Sequence, residues 1–112
     1  MDWRERVERE LETAEAARAR GNEGMARVCA RRAAGWTVQA YLEGQEIQLQ
    51  TTSIIKHMRY LLQVKGLGLE TKKILEHMLV AKQKHNLESD SYFPLDLDLI
   101  AEARRLIALL FP

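Results

Sequence analysis

The sequence predicts an all-α protein, a four- to five-helix up-and-down antiparallel bundle, for three reasons. Apolar residues recur at helical spacing over nearly the whole chain, and no stretch alternates convincingly as a strand would. The length of 112 residues suits one domain, which we place at residues 1–112. The composition is 46% hydrophobic and 29% charged with only two Pro, which excludes a disordered or collagen-like chain.

The first helix is predicted over residues 3–20. Asp2 and Glu5 have the spacing of a capping box at its start. Gly21 suits the left-handed residue that ends a helix. The apolar stripe of this helix consists of Trp3, Val7, Leu11, Ala14 and either Ala17 or Arg18.

The second helix is predicted over residues 23–43, with Gly44 as its end. Most residues on its apolar face are small, so a neighbouring helix can approach closely. This stripe can be part of the core, or it can be the place where two subunits meet, and we expect a homodimer. The face consists of Ala26, Cys29, Ala30, Ala33, Ala34, Gly35, Trp36, Thr37, Ala40 and Tyr41.

The third helix follows a polar link over residues 45–50, in which Ile47 and Leu49 are apolar anchors. Residues 51–53 offer hydroxyl groups that can cap it, and it stops at residues 65–68. Its predicted core face consists of Ile54, Ile55, Met58, Leu61 and Leu62.

The last two helices are predicted over residues 70–85 and from Asp96 or Asp98 onward, with a loop between them. Either aspartate can cap the fifth helix. We expect the fourth helix to bury Ile74, Leu75, Met78 and Ala81, and the fifth to bury Ile100, Ala103, Ile107, Leu110 and Phe111.

Several functional classes are excluded or made less probable by the composition. Cys29 is the single cysteine, so a disulfide framework is excluded, and we expect this thiol to be a small buried hydrophobe. No apolar run approaches the length of a membrane span, and the charged beginning lacks a signal segment. We therefore expect a cytoplasmic protein.

The chain lacks the familiar motifs of metal and nucleophile chemistry. A di-iron bundle needs Glu-x-x-His, which does not occur, and His77 and His85 lack a third ligand in the sequence. No nucleophile elbow is present either. Gly66-Leu67-Gly68 precedes a helix and can present amides to an anion, but a plain helix–helix turn is favoured. We predict no metal and no cofactor.

The charge is unevenly distributed along the chain. The 17 basic and 16 acidic residues give +1, so global charge does not single out a nucleic-acid binder. Residues 56–85 nevertheless hold seven Lys or Arg, two Glu and all three His. Local positive potential of this kind attracts phosphates, although a solvated helix face gives the same pattern. Aromatic residues are not interleaved with these cations, so base stacking is not specially favoured.

The order of these pieces resembles the HEPN family (higher eukaryotes and prokaryotes nucleotide-binding), which are small helical bundles. An Ala-rich helix end, a Gly-containing turn and a second Ala-rich helix are typical of that family. So are a His followed by an apolar pair, and a Tyr- and Pro-containing loop before the last Ala-rich helix. The matching segments are residues 14–22 (AEAARARGN), 32–42 (RAAGWTVQAYL), 56–58 (KHM) with Leu61 and Leu62, 91–94 (SYFP) and 100–104 (IAEAR).

The chain departs from the family at its polar positions. The family's Glu and Lys on the second helix correspond to Gly35 and Gln39, and the Arg of the loop corresponds to Ser91. The ribonuclease branch carries an Arg followed four to six residues later by His, which is absent here. The nearest approach is Lys72 with His77, and Lys is not equivalent to Arg in planar recognition.

The sequence thus favours a non-catalytic HEPN-like module. It would bind a nucleotide or nucleic-acid phosphate, or dock onto a partner protein, which the resemblance implies is a nucleotidyltransferase. A purely structural homodimeric module is one alternative. Another is a degenerate ribonuclease that uses Lys72 and His77, although these lie about 140° apart around a helix. The candidate phosphate contacts are Arg32, Lys56, His57, Arg59 and Lys72, with His57 as a donor that strengthens at lower pH.

Overall fold

Five helices make up the described part of the computed structural model, and residues 2–84 and 97–112 contain no strand. Of residues 81–84 only the backbone is described. The Cα radius of gyration is 13.6 Å. The prediction of an all-α bundle is confirmed. The helices are α1 (Trp3–Ala19), α2 (Glu23–Gly44), α3 (Ile54–Leu62), α4 (Leu69–Lys84) and α5 (Leu99–Leu110).

Helix α2 is the centre of the fold, because it packs against each of the other four helices. Six small residues in its middle, from Ala26 to Gly35, are completely or almost completely buried. The small-residue stripe is therefore the core of this chain, and the interpretation of it as a meeting place of two subunits is wrong. Trp36, Ala40 and Tyr41 are only partly buried. The buried residues of α2 are Ala26, Cys29, Ala30, Ala33, Ala34, Gly35, Thr37, Val38 and Leu42.

Gly35 allows the start of α3 to lie directly on α2. A Cβ atom at this position would lie 2.8 Å from Cγ2 and 2.9 Å from Cδ1 of Ile54, and it would overlap the Cβ of Ile54 as well. The Cβ of Ile54 is bonded directly to the backbone, so side-chain rotation cannot relieve this overlap. A glycine in the middle of a helix costs helix stability, and here the close approach of two helices explains it.

Two of the predicted caps are confirmed: side-chain oxygens of Ser53 and Asp98 accept hydrogen bonds from backbone N–H groups of the first turns of α3 and α5. The side chain of Asn22 caps α2 in the same way, which the sequence analysis did not predict. Asp2 occupies the N-cap position of α1, but its side chain makes no capping hydrogen bond. The predicted capping box is therefore wrong. Asp96, the alternative cap of α5, lies outside the described residues.

The ends of α1 and α2 use the same turn with different residues. After α1, Gly21 is left-handed (φ 82°), and the N–H groups of Gly21 and Asn22 donate to the carbonyls of Arg18 and Ala17. The turn after α2 repeats this pattern, but its left-handed residue is Glu46 (φ 61°) rather than a glycine. Gly44 is the last residue of α2 and does not supply the turn.

The core agrees with the predicted stripes except at particular positions. Val7, Leu11, Ala14 and Ala17 of α1 are buried as predicted. In α5, Leu99 and Leu106 are completely buried although they were not expected, while Ile107 is only half-buried. Predictions for the side chain of Ala81, for His85 and for the loop over residues 86–95 concern parts of the chain that the structure does not describe. Several residues that were predicted to be buried are only half-buried in the structure. They are Trp3, Ile54, Ile55, Leu62 and Phe111.

The hydropathy of the helices agrees with the composition. None of the helices in the described residues combines the length and the apolar character that crossing a membrane requires.

Candidate functional site

The five predicted phosphate contacts do not form a single site. The guanidinium of Arg32 lies on α2, and its Nη1 is 2.6 Å from the carboxylate of Glu10 on α1. Lys56 and Arg59 are exposed and, being three residues apart, share one side of α3. Lys72 is exposed on α4, which packs against α3. Three of the five predicted residues are therefore cations on the same helix pair.

His57 is separated from these cations because it points inward. It is 4% exposed, and its Nδ1 lies 2.7 Å from the carbonyl oxygen of Ser53, to which the ring N–H donates. The ring lines a polar cleft of about 210 Å³ between the end of α2 and the link that follows. That cleft holds a carboxylate and no lysine or arginine, so the structure does not bring His57 to a phosphate site with Lys56. The other lining residues are Gln39, Glu43, Ile47, Gln48, Leu49, Gln50 and Thr51.

The exposed cations of α3 and of the turn before α4 have few acidic neighbours. Helix α3 itself contains no acidic residue. Among the described residues, none of these cations lies within 4 Å of a carboxylate. Tyr60 lies directly after Arg59 and is 40% exposed, so an aromatic ring stands among the cations and the expectation that none is interleaved with them is wrong. We define the α3–α4 surface as Lys56, Arg59, Tyr60, Lys65 and Lys72.

Several arginines elsewhere in the described chain engage carboxylates of other helices. Arg18 contacts Glu23 at 2.9 Å and Asp98 at 3.0 Å. Arg104 of α5 contacts Glu8 and Glu15 of α1 at 3.2 and 3.0 Å. In these ion pairs a carboxylate cancels the positive charge of an arginine, whereas the cations of the α3–α4 surface have no such partner among the described residues. The net charge of +1 is therefore unevenly distributed, and the α3–α4 surface stays positive.

A second cleft, of about 310 Å³, lies between α4 and α5. In it, Nδ1 of His77 is 2.8 and 2.9 Å from the two carboxylate oxygens of Glu102. Nε and Nη2 of Arg105 lie 2.7 and 3.0 Å from the carboxylate of Glu70, whose pKa this hydrogen bonding lowers. The complete lining is Glu70, Lys73, Ile74, His77, Ala101, Glu102 and Arg105.

Sequence reasoning missed this cleft because it paired His77 with the wrong lysine. Lys73, four residues before His77, shares the cleft with it, whereas Lys72 is absent from the lining. The Lys72–His77 pair of the ribonuclease alternative is therefore not formed. The helical spacing of Lys73 and His77 was a usable signal. Glu102 is 25 residues from His77, and Arg105 is 35 residues from Glu70, so no local pattern announced either residue of α5.

Metal and thiol chemistry find no site in the residues that the structure describes. No group of three or more His, Cys, Asp or Glu side chains there could hold a metal ion. Cys29 is buried, and burial raises the pKa of its thiol, which keeps it protonated and unreactive. The prediction of a small buried hydrophobe at this position is confirmed.

Comparison with known proteins gives no match: no family model, no curated protein and no solved structure matches this chain. The resemblance to the HEPN family therefore stays a prediction that rests on short motifs.

Proposed function

We propose that this chain is a non-catalytic, HEPN-like module of the cytoplasm that binds the phosphates of single-stranded nucleic acid at the α3–α4 surface. The observation that carries the proposal is the set of exposed cations on α3 and α4 that have no carboxylate within 4 Å among the described residues. Unpaired cations on two neighbouring helices create a local positive potential even when the net charge is close to zero.

The exposed ring of Tyr60 favours a single strand over a duplex. An aromatic side chain beside cations can stack an unpaired base, which contributes about 1–3 kcal/mol per base. The ring follows Arg59 and lies one helical turn after Lys56, so phosphate and base contacts can form together. A duplex offers the same phosphates but no free base to this ring.

The test is the affinity for a labelled RNA strand of about 20 nucleotides, measured by fluorescence anisotropy at low salt. We expect the double variant K56Q/R59Q to bind at least about tenfold more weakly, because two charge-assisted phosphate contacts are lost. The matched control is R9Q/R20Q, which removes the same charge from exposed positions on or beside α1. Tyr60→Ala should weaken binding of the strand more than binding of a duplex of equal length.

Equal loss of affinity in K56Q/R59Q and R9Q/R20Q would contradict the proposal, since binding would then depend on overall charge alone. So would unchanged binding in K56Q/R59Q. The proposal predicts that K56Q/R59Q binds the RNA weakly, while the affinity of R9Q/R20Q for the RNA stays within about twofold of that of the original chain.

The alternative is an interaction module, and one observation favours it. Tyr60, Val64 and Leu69 are 40%, 37% and 72% exposed around the turn between α3 and α4. Such apolar side chains ringed by cations suit an acidic partner protein, which the HEPN resemblance implies is a nucleotidyltransferase. Leu69→Ser would weaken capture of such a partner while RNA binding by the cations stayed unchanged.

The predicted homodimer must use a different face. The small-residue stripe of α2 is buried within the chain, and a two-fold contact through the α3–α4 surface would place like charges opposite each other. Light scattering on the purified protein tests the homodimer. A monomeric mass at the protein concentrations of the binding experiments would exclude a homodimer under those conditions.

A further inference from the structure

The cleft between α4 and α5 has the organisation of a small-ligand site. Two groups on its rim are each held by a carboxylate of the opposite helix: His77 by Glu102, and Arg105 by Glu70. Lys73 is exposed and lies on the same side of α4 as His77. The site thus combines an imidazole, a guanidinium and an ammonium group within one cleft of about 310 Å³.

The two carboxylates orient these groups and leave donors available. Glu102 occupies Nδ1 of His77, so Nε2 is the ring nitrogen left for a ligand. Glu70 occupies Nε and Nη2 of Arg105, so both hydrogens on Nη1 are left. Lys73 forms no ion pair with the described residues. Three separate donors are therefore available to an acceptor that enters the cleft.

We propose that the α4–α5 cleft binds a small phosphomonoester, independently of the nucleic-acid surface proposed above. The dianionic phosphate accepts from Lys73, from Nη1 of Arg105 and from Nε2 of protonated His77. The cleft is larger than a phosphate group alone requires, and Ile74 and Ala101 give it an apolar wall. The organic group of the ligand lies against that wall.

The binding is expected to strengthen as the pH falls, because protonation makes Nε2 of His77 a donor. The charged groups that face His77 in the described residues come from both helices. They are Glu102 and Arg105 of α5 and Glu70 and Lys73 of α4. Affinity for a dianion should therefore be higher at pH 6.5 than at pH 8, both above the second pKa of phosphate monoesters of about 6.

The experiment titrates phenyl phosphate into the full chain and follows the imidazole signals by proton NMR. The chain has three histidines, and the signal missing from the variant H77Q identifies His77. We expect phenyl phosphate to shift that signal in a saturable way. Lys73→Gln should weaken binding at least about tenfold, in line with loss of a charge-assisted hydrogen bond.

Arg9→Gln is the matched control, since Arg9 is an exposed cation of α1 that belongs to neither proposed site. It should change phenyl phosphate binding by less than about twofold. In H77Q the difference in affinity between pH 6.5 and pH 8 should disappear. Equal weakening in R9Q and K73Q would overturn the proposal, as would movement of all three histidine signals or of none. Loss of RNA binding in K56Q/R59Q with intact phenyl phosphate binding would show that the two sites are separate.

Discussion

The layer formed by α1, α2 and α5 and the hairpin formed by α3 and α4 differ in how their charges are arranged. In the layer, guanidinium groups bridge helices: Arg104 joins α5 to α1, and Arg32 joins α2 to α1. In the hairpin, the exposed cations Lys56, Arg59 and Lys72 have no such partner in the described chain. Part of the charge of the layer thus connects helices, whereas these three cations of the hairpin stay available; Glu70 of the hairpin, in contrast, engages Arg105 of α5.

This difference shows why a net charge of +1 is a poor guide to what the protein attracts. Helix α1 carries five glutamates, and three of them engage arginines of α2 and α5. Helix α3 carries none. Charges of opposite sign therefore do not cancel locally, and the potential near the hairpin differs from the average over the molecule.

The largest expected effect concerns the core of the layer, where Leu106 is completely buried and Ile107 only partly. Leu106→Ala should lower the free energy of unfolding by about 3 kcal/mol, through lost burial and the cavity left behind. Ile107→Ala should lower it by only about 1 kcal/mol, because part of its side chain stays in water in both states. Urea unfolding of the two variants measures both values, and a larger loss in I107A would show that α5 is rotated from its described position.

The contact between layer and hairpin depends on Gly35. A methyl group there would collide with Ile54, at a cost of about 3 kcal/mol, which the better helix propensity of alanine offsets by about 1 kcal/mol. Gly35→Ala should therefore destabilise the fold by about 2 kcal/mol. Gly24→Ala is the control, since its Cβ would meet only Asn22 Oδ1 at 3.8 Å, and it should be neutral or slightly stabilising. A stabilising G35A would contradict the described contact of α2 with α3.

The turn that leads from the layer to the hairpin holds Glu46 in the left-handed region, with φ of 61°. Glu46→Gly should raise the free energy of unfolding by up to about 1 kcal/mol, because glycine adopts this conformation without steric cost. Glu46→Ala removes the carboxylate and keeps the strained conformation, so it should gain only a few tenths. Thermal unfolding compares the two, and an equal gain in both would assign the effect to charge rather than to the backbone.

The smallest expected effect concerns an ion pair at the end of the layer. Hydrogen bonding from Arg18 lowers the pKa of Glu23 below its ordinary value. Because the pKa of Glu23 is lower in the folded state than in the unfolded state, the ion pair contributes its full stability at pH values above the unfolded-state pKa. This contribution is lost as the pH falls through the folded-state pKa. Glu23→Gln should thus destabilise by less than about 1 kcal/mol at pH 7, since both side chains are partly exposed, and by still less near pH 3. The control is Glu12→Gln at an exposed position on α1, which should change the free energy of unfolding at pH 7 by less than about 0.5 kcal/mol.

The sequence was informative where the controlling physics is local. The period of apolar residues located all five helices, and Gly21 was identified correctly as a left-handed residue. Glu46 was missed because nothing about a glutamate announces a positive φ. The burial of Leu106 depends on which way α5 is rotated against α2, which a residue pattern over 12 positions does not determine.

The candidate sites were harder to predict because they depend on pairing between distant residues. Arg32 and the cations of the hairpin look alike as sequence, and only the fold shows that Glu10 engages Arg32. His57 was expected beside its neighbour Lys56, yet one residue along a helix is a rotation of about 100°, enough to turn it inward. Prediction of the cleft around His77 would have required knowledge of which helix packs against α4.

The central claim, that the hairpin's unpaired cations contact phosphates, is tested most directly by the salt dependence of RNA binding. Each cation that contacts a phosphate of a single strand contributes about 0.7 to the slope of log K against log salt concentration. The account predicts that K56Q/R59Q reduces this slope by about 1.4 while R9Q/R20Q leaves it unchanged. The same reduction in both variants, or none in K56Q/R59Q, would contradict it.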